Sequence, residues 1–105
     1  LMKQAVKDHE DESPTAFFAG NDSIAVGALR ALQDAGVRVP DQVSIVGVND
    51  ISISKYMSPP LSTVKVYTEL MGETAVDLLL EQFSGRQVSK KVSIATQLKI
   101  RGSSK

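Results

Sequence analysis

Cysteine is absent from the 105 residues, which excludes thiolate zinc sites, disulfide scaffolds and cysteine nucleophiles. That absence fits a cytosolic protein without ruling out an exported one. An excess of charge of one sign is absent too. Twelve basic and twelve acidic residues give zero net charge, so the Lys/Arg surplus that grips nucleic-acid phosphates is missing. Balanced charge together with 42% hydrophobic residues also excludes a disordered chain, which combines high net charge with few aliphatics. No apolar run approaches the ~20 residues of a membrane helix. The opening Leu1-Met-Lys-Gln-Ala-Val-Lys-Asp-His-Glu lacks the apolar core of a secretory signal.

Catalytic chemistry is equally short of parts. His9 is the single histidine, and no serine sits in a G-x-S-x-G frame that would make a nucleophile elbow. Neither G-x-x-x-x-G-K-[ST] nor G-x-G-x-x-G is present to cradle phosphate. Asp8, His9, Glu10, Asp11 and Glu12 could hold a divalent ion, but such a run reads first as a solvated charged loop. No cofactor motif, metal site or catalytic constellation emerges, and a binding role is expected in place of an enzyme's. Leu1 opens without an initiator Met or a helix cap, and the sequence reads as a piece of a longer protein.

What is present alternates between helix and strand signals over one domain's length, the pattern of an α/β fold with an open parallel sheet and flanking helices. Residues 1–9 suggest a short helix, ended by the acidic run and Ser13-Pro14. Residues 15–19, Thr-Ala-Phe-Phe-Ala, suit a strand buried on both faces. Asn21 or Asp22 is the expected N-cap of a helix running to about Ala35, with Gly36 in the left-handed position that follows. Residues 43–48 form a second strand, 51–56 a short helical or irregular stretch, and 62–66 a third strand after Pro59-Pro60. A second long helix spans Thr68–Phe83 and stops at Gly85. The tail alternates in two bursts, Val92/Ile94 and Leu98/Ile100, and suits one bent edge strand or a pair.

On a helical wheel Ile24, Ala28, Ala31, Leu32 and Ala35 fill one face of the first helix, and Ala25, Val26 and Leu29 extend it. The apolar arc is about 220°, more than one sheet requires. The surplus implies a second covered surface, against either another helix of the domain or a partner subunit. In the second helix Met71, Ala75, Leu78 and Leu79 form a stripe flanked by Val76 and Phe83, the spacing of core packing. Leu70 and Leu80 point elsewhere.

Ligands of open parallel sheets lie beyond the carboxyl ends of the strands. Two strands here end in polar pairs, Asn21-Asp22 and Asn49-Asp50. If the strands are neighbours, four amide and carboxylate groups share one rim, offering the donors and acceptors that a hydroxyl-rich ligand such as a sugar needs. Each pair taken alone also suits a helix cap or a turn.

Several separated motifs carry a resemblance. Pro14-Thr-Ala-Phe-Phe-Ala-Gly-Asn-Asp-Ser-Ile-Ala-Val-Gly-Ala-Leu-Arg-Ala-Leu and Val39-Pro-Asp-Gln-Val-Ser-Ile-Val-Gly-Val-Asn-Asp are followed in order by Pro59-Pro-Leu-Ser-Thr-Val, Met71-Gly-Glu-Thr-Ala-Val-Asp-Leu-Leu-Leu and Leu98-Lys-Ile-Arg-Gly-Ser. Together they resemble the LacI/GalR family of sugar-responsive transcriptional repressors, most nearly those of galactoside operons, over almost the whole chain.

The resemblance implies a C-terminal part of a periplasmic-binding-protein-like core. Residues 1–61 would belong to the C-terminal subdomain, 62–85 to a crossover strand and a helix of the N-terminal subdomain, and 86–105 to C-terminal strands. It further implies a cytoplasmic homodimer or higher homo-oligomer that reaches operator DNA only through an N-terminal headpiece absent from this sequence. A small sugar effector would bind between the subdomains, and no membrane is involved. The strand-end Asn of the family's A-N-D motif matches Asn21. The acidic position after its G-[YF] pair is Asn49, where an amide replaces the carboxylate and Val48 the aromatic, which changes how a sugar hydroxyl would be held. Asp22 and Asp50 complete the expected ligand rim, more as braces than as contacts. The family's dimer contacts fall on Val26, Leu29, Gln33 and Tyr56. An exported sugar-binding transport protein is the alternative on the same fold. Loss of the preceding strands would leave an apolar sheet edge through which chains could associate or exchange elements.

Overall fold

A computed structural model describes residues 14–105, so the expected opening helix and the acidic run with His9 lie outside the described residues. The chain divides into two units. One comprises the described residues up to Lys65 together with Gln97–Lys105, and the other is Val66–Thr96.

The first unit runs β1 (Ala16–Phe18), α1 (Asp22–Asp34), β2 (Ser44–Val48), a 3₁₀ turn at Ser54–Tyr56, β3 (Ser62–Lys65) and β4 (Gln97–Lys99). The sheet order is β1-β2-β3-β4. β1, β2 and β3 are parallel, with Phe17 opposite Ile45 and Gly47 opposite Thr63. Helix α1 provides the crossover that a parallel β1–β2 pair requires. The α/β sheet is therefore mixed, because β4 returns antiparallel with Leu98 opposite Val64. Of the two alternating bursts in the tail, only the one around Leu98 forms a strand; Val92 and Ile94 lie in irregular chain.

One face of the sheet is covered. Ala25, Ala28, Leu29 and Leu32 of α1, at the i, i+3, i+4, i+7 spacing of a single helical stripe, pack with Ala19, Val43, Ile45 and Leu61. Three alanines in that set keep the helix close to the strands. Each fully buried Leu or Ile contributes roughly 1.5–3 kcal/mol through the area it removes from water. Among the described residues, helix α1 buries one face, and no second helix of this unit covers the rest of its apolar arc: Ile24 stays exposed and Val26 half-buried. Leu29 is 4% exposed, which places it inside this core and away from any outward face.

Strand β1 departs from the expected two-sided burial. Phe17 points into the core, while Phe18 on the other face is 69% exposed. Alternation puts Phe18, Val46, Val48, Val64 and Leu98 on the face opposite α1, and among the described residues of this unit no helix lies there.

The C-terminal residues close the amino ends of β2 and β3. Ser103 Oγ donates to Ile45 O and accepts from Ser62 N, while Ser103 O accepts from Ile45 N. Ser62 Oγ in turn accepts from Arg101 N. Ser103 is fully buried, so its hydroxyl satisfies backbone groups that water cannot reach. Strand β3, which the resemblance grouped with the following helix, is hydrogen-bonded between β2 and β4 in this sheet.

The second unit holds α2 (Thr68–Phe83), with the bounds expected from its periodicity and its stop at Gly85, where φ is +106°. Its C-terminal end is closed by Arg86, whose Nη2 donates to Leu78 O and Nη1 to Val88 O. A cation there also complements the helix dipole. Glu81 receives Lys90 Nζ at 3.0 Å. The expected core stripe is not realised: no residue of α2 is buried, and Leu70, Met71, Val76, Leu79, Leu80 and Phe83 are exposed. A helix followed by an irregular segment supplies no second layer to cover it.

Candidate functional site

The two polar pairs lie at the carboxyl ends of neighbouring strands, since β1 and β2 pair directly. Asn21 is the N-cap of α1, and its Oδ1 accepts from Ile24 N at 2.8 Å. That bond satisfies one of the helix's orphan amides and fixes the side chain at the strand end. Asn21 is half-buried and Asn49 exposed.

Asp22 is the first residue of α1 and has no exposed surface. Its carboxylate takes three donors. Oδ1 accepts from Thr63 Oγ1 at 2.6 Å, and Oδ2 from Ser54 Oγ at 2.7 Å and Ile51 N at 2.9 Å. Burying a carboxylate is costly unless its lone pairs are filled. Here they are, and the first turn of α1 adds its favourable dipole. Gly47 of β2 makes the approach possible, because a β-carbon there would fall onto the Asp22 carboxylate. The result is a buried polar knot joining α1, β3 and the 51–54 loop.

The Asn49-Asp50 turn is pinned from the same knot. Both residues are left-handed, with φ of +110° and +56°, a conformation that asparagine and aspartate tolerate better than other side chains. Three consecutive amides are held: Asn49 N donates to Val64 O, Asp50 N to Thr63 Oγ1, and Ile51 N to Asp22. The Thr63 hydroxyl thus relays between the first polar pair and the second. Asp50 itself faces Arg101, with Nη1 at 2.8 Å from Oδ1 and both side chains mostly buried.

Of the four expected rim residues, Asn21 is half-buried, Asn49 exposed, Asp22 enclosed, and Asp50 paired. Thr63, Ser54 and Arg101 were not picked out from the sequence. A glycine in the middle of β2, facing the helix side, was the one available signal that a polar group comes close there. Of the expected dimer contacts, Tyr56 is 79% exposed, Gln33 is exposed and donates through Nε2 to Ser58 O, and Leu29 is internal. Among the described residues no group of acidic or histidine side chains is arranged to hold a metal ion. No helix among them is long and apolar enough to cross a membrane.

The family model for the periplasmic binding protein-like domain matches residues 1–104. The HTH-type transcriptional repressor MelR of Bacillus subtilis (strain 168) is 48% identical over 103 residues, covering 98% of this chain and 29% of MelR. The lactose operon repressor of Rhizobium radiobacter is 45% identical over 92 residues, covering 88% of this chain and 81% of that protein. Among solved structures, the lac repressor dimer bound to operator and the anti-inducer ONPF superposes with a TM-score of 0.87 at 34% identity, covering 98% of this chain and 36% of that one. The complex of the transcriptional regulator CelR with cellobiose gives a TM-score of 0.84 at 33% identity, over 97% and 31%. The chain therefore spans about 29% of the length of MelR. With the family model matched almost end to end and the repressors aligned throughout, the chain belongs to the LacI/GalR family and carries part of its periplasmic-binding-protein-like core.

Proposed function

We propose that the chain is the effector-binding and dimerisation portion of a LacI-type transcriptional regulator. In this reading a small sugar bound between the subdomains of the complete protein changes its affinity for operator DNA. The observation that carries the reading is the rim at the ends of β1 and β2. Asn21, half-buried, and Asn49, exposed, stand there on a base held by Asp22, Thr63 and Asp50. Amides on rigid strand ends donate and accept toward sugar hydroxyls without the reorganisation that a mobile loop would need. Asn21 and Asn49 are assigned as sugar contacts, and Asp22 and Asp50 as braces.

The mechanism is a population shift. Sugar stabilises one relative arrangement of the subdomains, and the homodimer conveys it to the DNA-binding headpieces. Residues 1–61 are assigned to the C-terminal subdomain, with the helix of 62–85 in the N-terminal one and 86–105 as the closing segment. The role is binding, not catalysis, and the site of action is the cytoplasm, where operators are. The exported-transporter alternative is disfavoured because the aligned relatives are named as transcriptional repressors.

The test is operator release in the complete regulator. Sugar should dissociate the wild type from its operator, and Asn21→Ala and Asn49→Ala should each blunt that response while leaving sugar-free operator binding intact. Unchanged release in both variants would overturn the site assignment.

A further inference from the structure

We infer that Arg101 is a positioning residue for the Asn49-Asp50 turn, holding Asp50 so that Asn49 is presented to the sugar, and that it sets sugar affinity without touching the sugar. The inference rests on the reading of that rim as a sugar site.

Two successive non-glycine residues in left-handed backbone need outside support, because such conformers persist only where the surroundings over-determine them. The support comes from two sides. On one, the amides of residues 49–51 are tied to Val64 O, Thr63 Oγ1 and Asp22. On the other, the Asp50 carboxylate meets Arg101, whose Nη1 lies 2.8 Å from Oδ1 and also donates to Leu61 O at 3.0 Å.

Arg101 is itself fixed. Its amide donates to Ser62 Oγ, and it stands between β4 and the buried Ser103. The guanidinium has a second anchor in the Leu61 carbonyl, besides Asp50. With side-chain exposures of 19% for Arg101 and 14% for Asp50, the pair is screened far less than a surface ion pair. A bound sugar finds the turn already formed. Without the pair, only the fraction of molecules holding the left-handed turn is competent, and apparent affinity falls by that fraction.

The test uses the complete regulator, titrated calorimetrically with lactose, galactose, sucrose, ribose and cellobiose to find the sugar that binds. Arg101→Met should weaken that sugar about tenfold, corresponding to a turn formed in roughly one molecule in ten. Asp50→Asn should do the same, and the double variant should be no worse than the weaker single, the mark of two groups acting as one. Arg101→Lys should recover part of the affinity, since it keeps the charge and loses the fork. Hydrogen exchange without sugar supplies the readout that a general loss of stability would not reproduce. The amides of Asn49, Asp50 and Ile51 should exchange faster in Arg101→Met, while that of Ala19, bonded to Val46 O, should not.

Wild-type affinity in folded Arg101→Met, additive losses in the double variant, or faster exchange with unchanged affinity would each overturn the inference. Should Arg101→Met fail to fold, Arg101→Lys and Asp50→Asn decide the matter alone. A wild type that binds none of the sugars would sink the sugar reading and this inference with it. Normal binding by the Arg101 variants would sink the inference only.

Discussion

The carboxylate of Asp22 and the hydroxyl of Thr63 share a hydrogen bond of 2.6 Å in a place that water does not reach. That single contact joins the start of α1 to the middle of the sheet, and through the Asp50 amide it reaches the second polar pair as well. The rim is thus a consequence of how the core is closed, and the stability of the core and the shape of the rim are linked through Asp22.

Replacing Asp22 tests the link. Asp22→Ala would strand the Thr63 and Ser54 hydroxyls and the Ile51 amide in a buried space. At about 1–3 kcal/mol for each buried polar group left unpaired, a loss of about 3 kcal/mol or more is expected. Asp22→Asn should lose less, because one oxygen remains to accept while its NH₂ group meets donors. Urea denaturation of the chain measures both, with the order Ala below Asn below wild type.

Two glycines should answer in opposite directions. Gly47→Ala drives a β-carbon into the Asp22 carboxylate and to 3.2 Å from Leu61, and overpacking of this kind costs about 1–3 kcal/mol. Gly27 lies within α1 with nothing near its missing β-carbon, so Gly27→Ala should raise stability by about 0.5–1 kcal/mol through backbone entropy. Thermal melts of the two variants beside the wild type decide the sign of each.

The dimer proposal rests on three of the four expected contacts. Tyr56 and Gln33 are exposed and Val26 half-buried, whereas Leu29 is enclosed by the sheet. In sedimentation equilibrium of the complete regulator, Val26→Arg with Tyr56→Asp should shift dimer to monomer without lowering the melting temperature. Leu29→Glu should instead lower the melting temperature sharply, as an unpaired charge in a core does. A dimer that persists in the Val26/Tyr56 variant places the interface elsewhere.

Local signals were enough for much of this. The Asn21 cap, the left-handed Gly36 and Gly85, and both ends of α2 follow from residues within a few positions of one another. The neighbouring order of β1 and β2 follows from the short crossover that α1 makes. Burial was less legible, because it depends on what lies opposite. Phe18 and the Met71–Leu79 stripe have the spacing of core residues, but among the described residues of their units none of them is buried, and Phe18, Met71 and Leu79 are exposed. The resemblance puts Leu29 at a partner face, and the wheel agrees because it does not show which part of an apolar arc the sheet takes. Thr63, Ser54 and Arg101 escaped notice for a related reason. A threonine in a strand or an arginine in a tail is ordinary until the fold sets it beside Asp22 or Asp50.

We propose that a sugar binds at the Asn21/Asn49 rim while Asp22 stays behind it. A crystal structure of the complete regulator with its tightest sugar tests this most directly. Sugar hydroxyls are expected about 3 Å from the side-chain amides of Asn21 and Asn49, with Asp22 still bonded to Thr63 and Ser54. Sugar density away from this rim, or an Asp22 carboxylate turned out to meet the sugar, would contradict it.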